Sequence, residues 1–196
     1  KYNSSGTQQW TKSLSSDGVM GIVIDSSGNI FAGSHTETGL NDTDIDVIKY
    51  NSSGTAQWTL QIGSTARDYV SAIALDSSGS VYVTGNTRGD LDGNTHSGGG
   101  DIFISKFNSS GTKQWTKTLG SSENNNCGDC ATDIVIDSSD NIFITGHTNG
   151  DLDGNSSLGN QDIFLIKYNT SGTKQWTKQD GTSGHDYATG IALDSS

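Results

Sequence analysis

The sequence is organised around a ten-residue phrase that returns four times. It reads K-Y-N-S-S-G-T-Q-Q-W at residues 1–10, K-Y-N-S-S-G-T-A-Q-W at 49–58, K-F-N-S-S-G-T-K-Q-W at 106–115 and K-Y-N-T-S-G-T-K-Q-W at 167–176. All four tryptophans, Trp10, Trp58, Trp115 and Trp176, close this phrase, at spacings of 48, 57 and 61 residues. A second phrase interleaves with it: I-D-S-S-G-N-I-F at 24–31, L-D-S-S-G-S-V-Y at 75–82, I-D-S-S-D-N-I-F at 136–143 and L-D-S-S at 193–196. Repetition of this kind constrains the fold strongly, because a single repeat buries its apolar surface only against its neighbours.

Four strands are predicted per repeat, and in the first full copy they fall at residues 21–25 (A), 29–33 (B), 44–50 (C) and 55–62 (D). Strands A and C carry near-continuous apolar stretches, such as Ile22-Val23-Ile24 and Ile102-Phe103-Ile104, as expected for strands covered on both faces. Strand D alternates, with Trp58, Leu60 and Ile62 on one face and Gln57, Thr59 and Gln61 on the other, which suits a half-exposed outer edge. The A–B and C–D connections read [DN]-[ST]-S-[GD]. There Asp or Asn accepts a bond from the backbone two residues on and Gly takes a positive φ, without any need for proline, which the chain lacks. Alternating strand directions put both tight turns on one face of the assembly. The longer B–C and D–A connections lie on the other, where a functional site is to be sought.

The expected fold is therefore all-β: a beta-propeller-like series of tandem four-stranded antiparallel blades, with three full repeats and partial blades at the ends. Residues 1–16 read as a partial blade (strands C and D), 17–67, 68–128 and 129–185 as three blades, and 186–196 as the first strand of a further one. Closed propellers use about four to eight blades. The chain thus reads as a section of a longer repeat array, its opening phrase a cut or processed end.

Two segments carry a resemblance to a known family. D-[IV]-[FD]-x-x-K-[YF]-N-x-S-G-x-x-x-W, as at residues 101–115, and D-S-S-x-[NS]-[IV]-[FY]-x-x-G, as at 76–85, resemble the SBBP-type beta-propeller repeat of bacterial secreted and surface proteins. That resemblance implies the fold and an extracellular or cell-surface location. It implies no activity, since the family is known mainly as a repeat. Its members often carry proline in the B–C loop, whereas two of the three B–C loops here are acidic.

Charge sets aside two partner classes. With 11 Lys and Arg against 22 Asp and Glu, a net charge of -11 and no basic run, the chain opposes nucleic acid and anionic membranes. Its apolar stretches, such as residues 163–166, fall far short of the roughly 20 residues of a spanning helix.

The acidic B–C loops read G-D-L-D-G-N-T-H-S-G-G-G-D at 89–101 and G-D-L-D-G-N-S-S-L-G-N-Q-D at 150–162. Asp90, Asp92, Asn94 and Asp101, and again Asp151, Asp153, Asn155 and Asp162, stand at the 1, 3, 5 and 12 spacing at which oxygen donors converge on calcium. Calcium is the expected cofactor, in competition with ordinary Asx turns. Asp44, at the Asp101 position of a shorter loop, is expected to serve strand C alone. Asp17, Asp68, Asp129 and Asp186 each stand eight residues before a D-S-S phrase and are expected to bond backbone amides at blade boundaries. Cys127 and Cys130, in C-G-D-C, are expected to form a local disulfide in an oxidising compartment.

The histidines His35, His96, His147 and His185 are read as sharing no position. No nucleophile–base–orienter set emerges, so no enzyme is expected. Asn3, Asn51, Asn108 and Asn169 satisfy N-x-[ST] but read more simply as turn residues. Each Trp is expected to wedge between blades. The leading expectation is a non-enzymatic secreted or cell-surface structural repeat protein, a scaffold for adhesion or an extracellular fibre. Calcium would stiffen its loops, and its partners would be other copies of itself or a longer array. The alternative is a ligand-binding propeller that recognises glycans or a protein through Tyr69, Arg67, His96, His185 and Tyr187.

Overall fold

The computed structural model describes residues 1–14, 18–123 and 128–194. Its strands are β1 (Val19–Ile24), β2 (Ile30–Gly39), β3 (Asp42–Tyr50), β4 (Ala56–Ile62), β5 (Asp68–Leu75), β6 (Val81–Thr87), β7 (Asp101–Phe107), β8 (Lys113–Leu119), β9 (Asp129–Ile136), β10 (Ile142–Thr148), β11 (Asp162–Tyr168) and β12 (Lys174–Asp180). They form three antiparallel sheets, β1-β2-β3-β4, β5-β6-β7-β8 and β9-β10-β11-β12, one blade per full repeat. First strands lie beside one another, β1 against β5 and β5 against β9, so the blades are arranged around a common edge. The fold is all-β, with propeller-type blades.

The core lies between the blades. Because successive side chains on a strand point to opposite faces, each strand of the middle blade serves two junctions. Ile73, Val81, Val83 and Phe103 meet Phe31, Ile45 and Val47 of the first blade. The alternate residues Ala72, Tyr82, Ile102 and Ile104 meet Ile134, Ile144 and Phe164 of the third. This corrects the expected ranking of the strands. The fully buried strand is the second of the middle blade, β6, while β1, a first strand, is largely exposed. Flanking blades decide burial, and the front of the first blade has no full blade against it.

The turns follow the expected chemistry. Asp25 Oδ1 accepts the amides of Ser27 (2.9 Å) and Asn29 (2.8 Å). Asn51 Oδ1 accepts those of Ser53 (3.1 Å) and Thr55 (2.9 Å), with Gly54 at φ 81°. In the third blade Asp140 takes the glycine position at φ 59°, and its carboxylate accepts the Ser77 amide (2.9 Å) and hydroxyl (2.8 Å) of the neighbouring blade. That interblade contact accounts for a side chain where the other copies have glycine.

Three local expectations change. The first blade has no B–C loop: β2 and β3 pair out to Gly39↔Asp42 and turn through Leu40 and Asn41, the latter at φ 62°. The opening segment holds one bridge, Tyr2↔Gln8, in place of paired strands. Residues 186–194 likewise hold no strand. Ladders need a neighbour, and strand B of neither flanking copy is in the sequence. Asp17 and Cys127 lie outside the described residues.

Candidate functional site

The ten-residue phrase builds the joints between blades. At the first joint, Lys1 Nζ (3.0 Å) and Trp10 Nε1 (3.2 Å) both donate to the carbonyl of Ser52, in the next copy's N-S-S-G turn. At the second, Lys49 Nζ (3.2 Å) and Trp58 Nε1 (3.4 Å) donate to the Ser109 carbonyl. At the third, Lys106 Nζ reaches the Thr170 carbonyl (3.4 Å) and pairs with Asp76 (3.3 Å).

Register explains why these residues act together. Lys49 is the cross-strand partner of both Phe31 and Trp58, so the three side chains lie in one row. The ammonium sits 5.0 Å above the Phe31 ring, which packs 5.8 Å from Trp58. Tyr82, Lys106 and Trp115 repeat the row. The turn needs glycine twice over. Gly54, Gly111 and Gly172 hold φ of 81°, 86° and 76°, and a β-carbon there would stand 2.8, 3.2 and 2.9 Å from Trp10, Trp58 and Trp115. Each phrase thus contains both a seat, its Lys and Trp, and the turn that fills the preceding seat.

The acidic B–C loops close on themselves and do not fit a calcium site. Leu91-Asp92-Gly93-Asn94 is a tight turn, with φ 51° at Asp92 and 79° at Gly93 and the Asn94 amide bonded to the Leu91 carbonyl (2.9 Å). Positive φ at both central residues of an Asp-Gly pair is the type I′ arrangement. Asp153 and Gly154 repeat it at 55° and 79°. Leu91 and Leu152, each between the first two Asp of its loop, are fully buried in the blade junctions.

The donors are consequently engaged elsewhere. Asp92 pairs with Lys113 and accepts the Thr116 hydroxyl (2.6 Å), while Asp153 pairs with Lys174. Asp90 and Asp151 accept the amides of His96 (2.8 Å) and Ser157 (2.7 Å). Asn94 and Asn155 turn Nδ2 toward the Leu91 and Leu152 carbonyls, 2.9 Å away in each case. Asp101 accepts from Ser97 (3.0 Å), and Asp162 from Leu158 (2.7 Å) and Gln179 (2.9 Å). Among the described residues no group of three or more His, Cys, Asp or Glu is placed to hold a metal ion. Chelation with EDTA is expected to leave the melting temperature unchanged, whereas Lys113→Ala costs about 0.5–1 kcal/mol, the scale of a half-exposed ion pair. A fall in melting temperature on chelation alone would contradict this assignment.

Each blade boundary brings together two carboxylates. Asp68 accepts the Ser64 amide (2.6 Å) and hydroxyl (2.8 Å). Asp129 accepts the Ser121 amide (2.5 Å) and the Thr148 hydroxyl, and Asp186 the Thr182 amide (2.7 Å). These are the backbone bonds expected of this Asp. Asp44, Asp101 and Asp162 stand opposite, each packed so closely on Gly63, Gly120 or Gly181 that no β-carbon fits.

Burial pushes Asp44, Asp68 and Asp129 above the usual carboxylate range. Burial also lifts Asp101 to about 6, against the Ser97 amide and His96, with Asp129 and Asp90 adding to the rise. A raised carboxylate favours the protonated native state, so the stability it contributes is present below the unfolded value near 4 and lost as pH rises through about 6. Asp101→Asn is therefore expected to gain on the wild type by on the order of 2–3 kcal/mol between pH 4 and pH 8. Urea titrations of both proteins across that range would measure it. A constant difference between them would refute the account.

Comparison with known proteins finds similarity over two segments. Residues 57–92 and 114–153 match the SBBP family, described as a beta-propeller repeat. Over those two segments the chain is similar to SBBP beta-propeller repeats. Each matched SBBP segment begins in the last strand of one blade and ends in the B–C turn of the next, so it spans a joint. The regulatory protein FlaEY of Caulobacter vibrioides (strain ATCC 19089 / CIP 103742 / CB 15) is 29% identical over 174 residues, covering 76% of this chain. The match takes in 18% of that protein's length. A Synechocystis apocarotenoid oxygenase mutant, Glu150Gln, is similar at a TM-score of 0.45 and 8% identity, over 77% of this chain and 35% of its own.

On the loop face the repeats juxtapose His and Tyr rings. His35 lies edge-on to Tyr69 at 5.3 Å and His147 edge-on to Tyr187 at 5.0 Å, while His185 stacks on Tyr187 at 6.2 Å. His35 and His147 do share a position, four residues beyond Phe31 and Phe143; aligning the copies on F-x-x-x-H would have found it. Asn86 holds that place in the middle repeat, and Cys130 stands at the Tyr position. Cys130 is disulfide-bonded. Arg67 reaches Asn41 (3.1 Å), and His185 Nδ1 contacts Gln161 (2.9 Å). The loop-face candidates therefore fall into separate groups along the blades.

Proposed function

We propose that this chain is a non-enzymatic scaffold section of a secreted or cell-surface protein, a run of blades that presents its loop face to partners or builds a surface fibre. The observation that supports this most is the use of the repeated residues: at three successive joints the Lys and Trp of one phrase are committed to holding the N-[ST]-S-G turn of the next. The repeats of bacterial secreted and surface proteins that it resembles point the same way. FlaEY is named a regulatory protein, and a scaffold of this kind is compatible with a module inside a larger regulator, of which it spans 18%. The test is location. Lys12, Lys117 and Lys178 are exposed, so an amine-reactive reagent that does not cross membranes should label the protein on intact producing cells. Labelling only after lysis would overturn the reading.

A second reading has support from the ring pairs. Tyr187 is exposed with His185 stacked parallel to it, a flat apolar surface with polar edges of the kind that receives a sugar ring. Binding on a glycan panel that is lost with Tyr187→Ala would favour it.

A further inference from the structure

Among the described residues the outer strand of each blade, β4, β8 or β12, is laddered along one edge and open along the other. An open edge is a template for another strand unless something blunts it, and lysines and covering loops are the usual means. Two of the three edges are blunted. β8 carries Lys113 and Lys117, and β12 carries Lys174 and Lys178. The B–C loop of each of these blades also folds against its outer strand. Asp92 takes the Lys113 ammonium and the Thr116 hydroxyl (2.6 Å), and Asn94 Nδ2 donates to the Thr116 carbonyl (3.4 Å). In the third blade Asp153 pairs with Lys174 and Asn155 Nδ2 reaches the Thr177 carbonyl (3.5 Å).

The first blade has neither device. Where the others place lysines, β4 has Ala56 and Leu60, and no charged residue stands between Lys49 and Arg67. Its β2 and β3 stay paired out to Gly39↔Asp42, so it has no loop to lay over Thr59, the counterpart of Thr116 and Thr177. The difference is internal to the repeat, since β1 to β4 and the turns between them all lie within the described chain.

β4 is also complementary to itself. Trp58, Leu60 and Ile62 lie on one face, and Gln57, Thr59 and Gln61, all exposed, lie on the other. Two copies of β4 set antiparallel about Thr59 oppose Trp58 to Leu60, Ala56 to Ile62 and Gln57 to Gln61, with Thr59 against Thr59. Apolar then meets apolar and amide meets amide, the pairings that stabilise a ladder. The same operation on β8 or β12 sets Trp115 against Lys117 or Trp176 against Lys178. Because the blades meet along their first strands, an added strand extends the sheet outward, away from the neighbouring blade.

We infer that a second copy of this chain pairs with the open edge of β4, antiparallel and two-fold, joining two four-stranded blades into one sheet. The inference rests on the scaffold reading for its role and names a lateral joint between two runs of blades. Seven residues a side make a small interface of the weak, concentration-dependent class. Since the same strand serves both copies, the contact is isologous and closes at two.

Exposed residues of β4 give the test. Gln57→Lys with Gln61→Lys opposes lysine to lysine twice across the axis, whereas Gln57→Glu with Gln61→Lys opposes unlike charges at the same places. By sedimentation equilibrium the wild type should pass from monomer to dimer, and no further, as its concentration rises. The double-lysine variant should raise the dissociation constant by about tenfold or more, and the Glu–Lys variant should return it to the wild-type value or below, both with the wild-type melting temperature. A wild type that stays monomeric would leave the edge to another protein's strand and overturn the self-pairing. Growth past the dimer, a double-lysine variant that pairs as the wild type does, or a Glu–Lys variant as weak as the double-lysine one would overturn it too. Those results leave the scaffold reading to the surface-labelling experiment, which decides it independently.

Discussion

Gly85→Ala is expected to unfold the middle blade. In β5 the ladder to β6 slips between Val70 and Ala72, and this bulge drives the Tyr69 carbonyl over the face of Gly85. A β-carbon at Gly85 would fall on that carbonyl oxygen, 2.9 Å from its carbon and 3.0 Å from the Phe103 ring. Neither neighbour can retreat: the carbonyl is fixed in the backbone between paired residues, and Phe103 is fully buried. Overpacking against backbone in a close-packed interior costs more than about 4 kcal/mol when it cannot relax. Far-ultraviolet circular dichroism should register lost strand signal, or the protein should fail to accumulate. Gly146→Ala repeats the conflict with the Cys130 carbonyl. Gly93→Ala is the control: its φ is 79° but nothing lies within 4 Å, so only backbone strain of about 1 kcal/mol applies.

Trp115→Ala is expected to cost about 3 kcal/mol, the lower end for removal of a large aromatic because the ring is half-exposed. The loss comes from three contacts: the edge-on packing with Tyr82 at 6.0 Å, the support under Gly172 and the apolar cluster between the second and third blades. Since repeat arrays gain stability from nearest-neighbour interfaces, the damage should be local. The third blade should separate before the first two, so unfolding curves followed by different probes should cease to coincide. Coincident curves with an unchanged midpoint would contradict a joint at this Trp.

The blade architecture was legible in the sequence because the two phrases punctuate every hairpin and the apolar stretches fall between them. The joints were less legible, because the phrase gives no direction: nothing local says that Lys49 and Trp58 reach forward to Ser109 and not to their own turn. The loop geometry was hard to read for a different reason. D-x-D-x-N spacing is shared by calcium loops and by an Asp-Gly turn, and the residue that decides between them is the intervening Leu91 or Leu152, which pins the loop into the core and aims the carboxylates apart.

A signal for this was present. Lysine stands in G-T-K-Q-W, at Lys113 and Lys174, in the two copies whose loop carries D-L-D-G-N, while the copy with the short connection has Ala56 there. The exposure of β1 was not legible, because its apolar residues match those of β5 and β9 and only the neighbouring blade differs.

The central claim is that the tryptophan of one repeat supports the glycine turn of the next, and a double-mutant cycle between Trp115 and Gly172 tests it most directly. Gly172→Ala alone should suffer both its positive φ and the collision with the indole. With Trp115 already replaced by Ala the collision disappears, and the second substitution should cost only the backbone strain. The account predicts a coupling of at least about 1 kcal/mol by urea denaturation, within the range for residues in contact. Effects that add to within about 0.5 kcal/mol, as for distant sites, would contradict it.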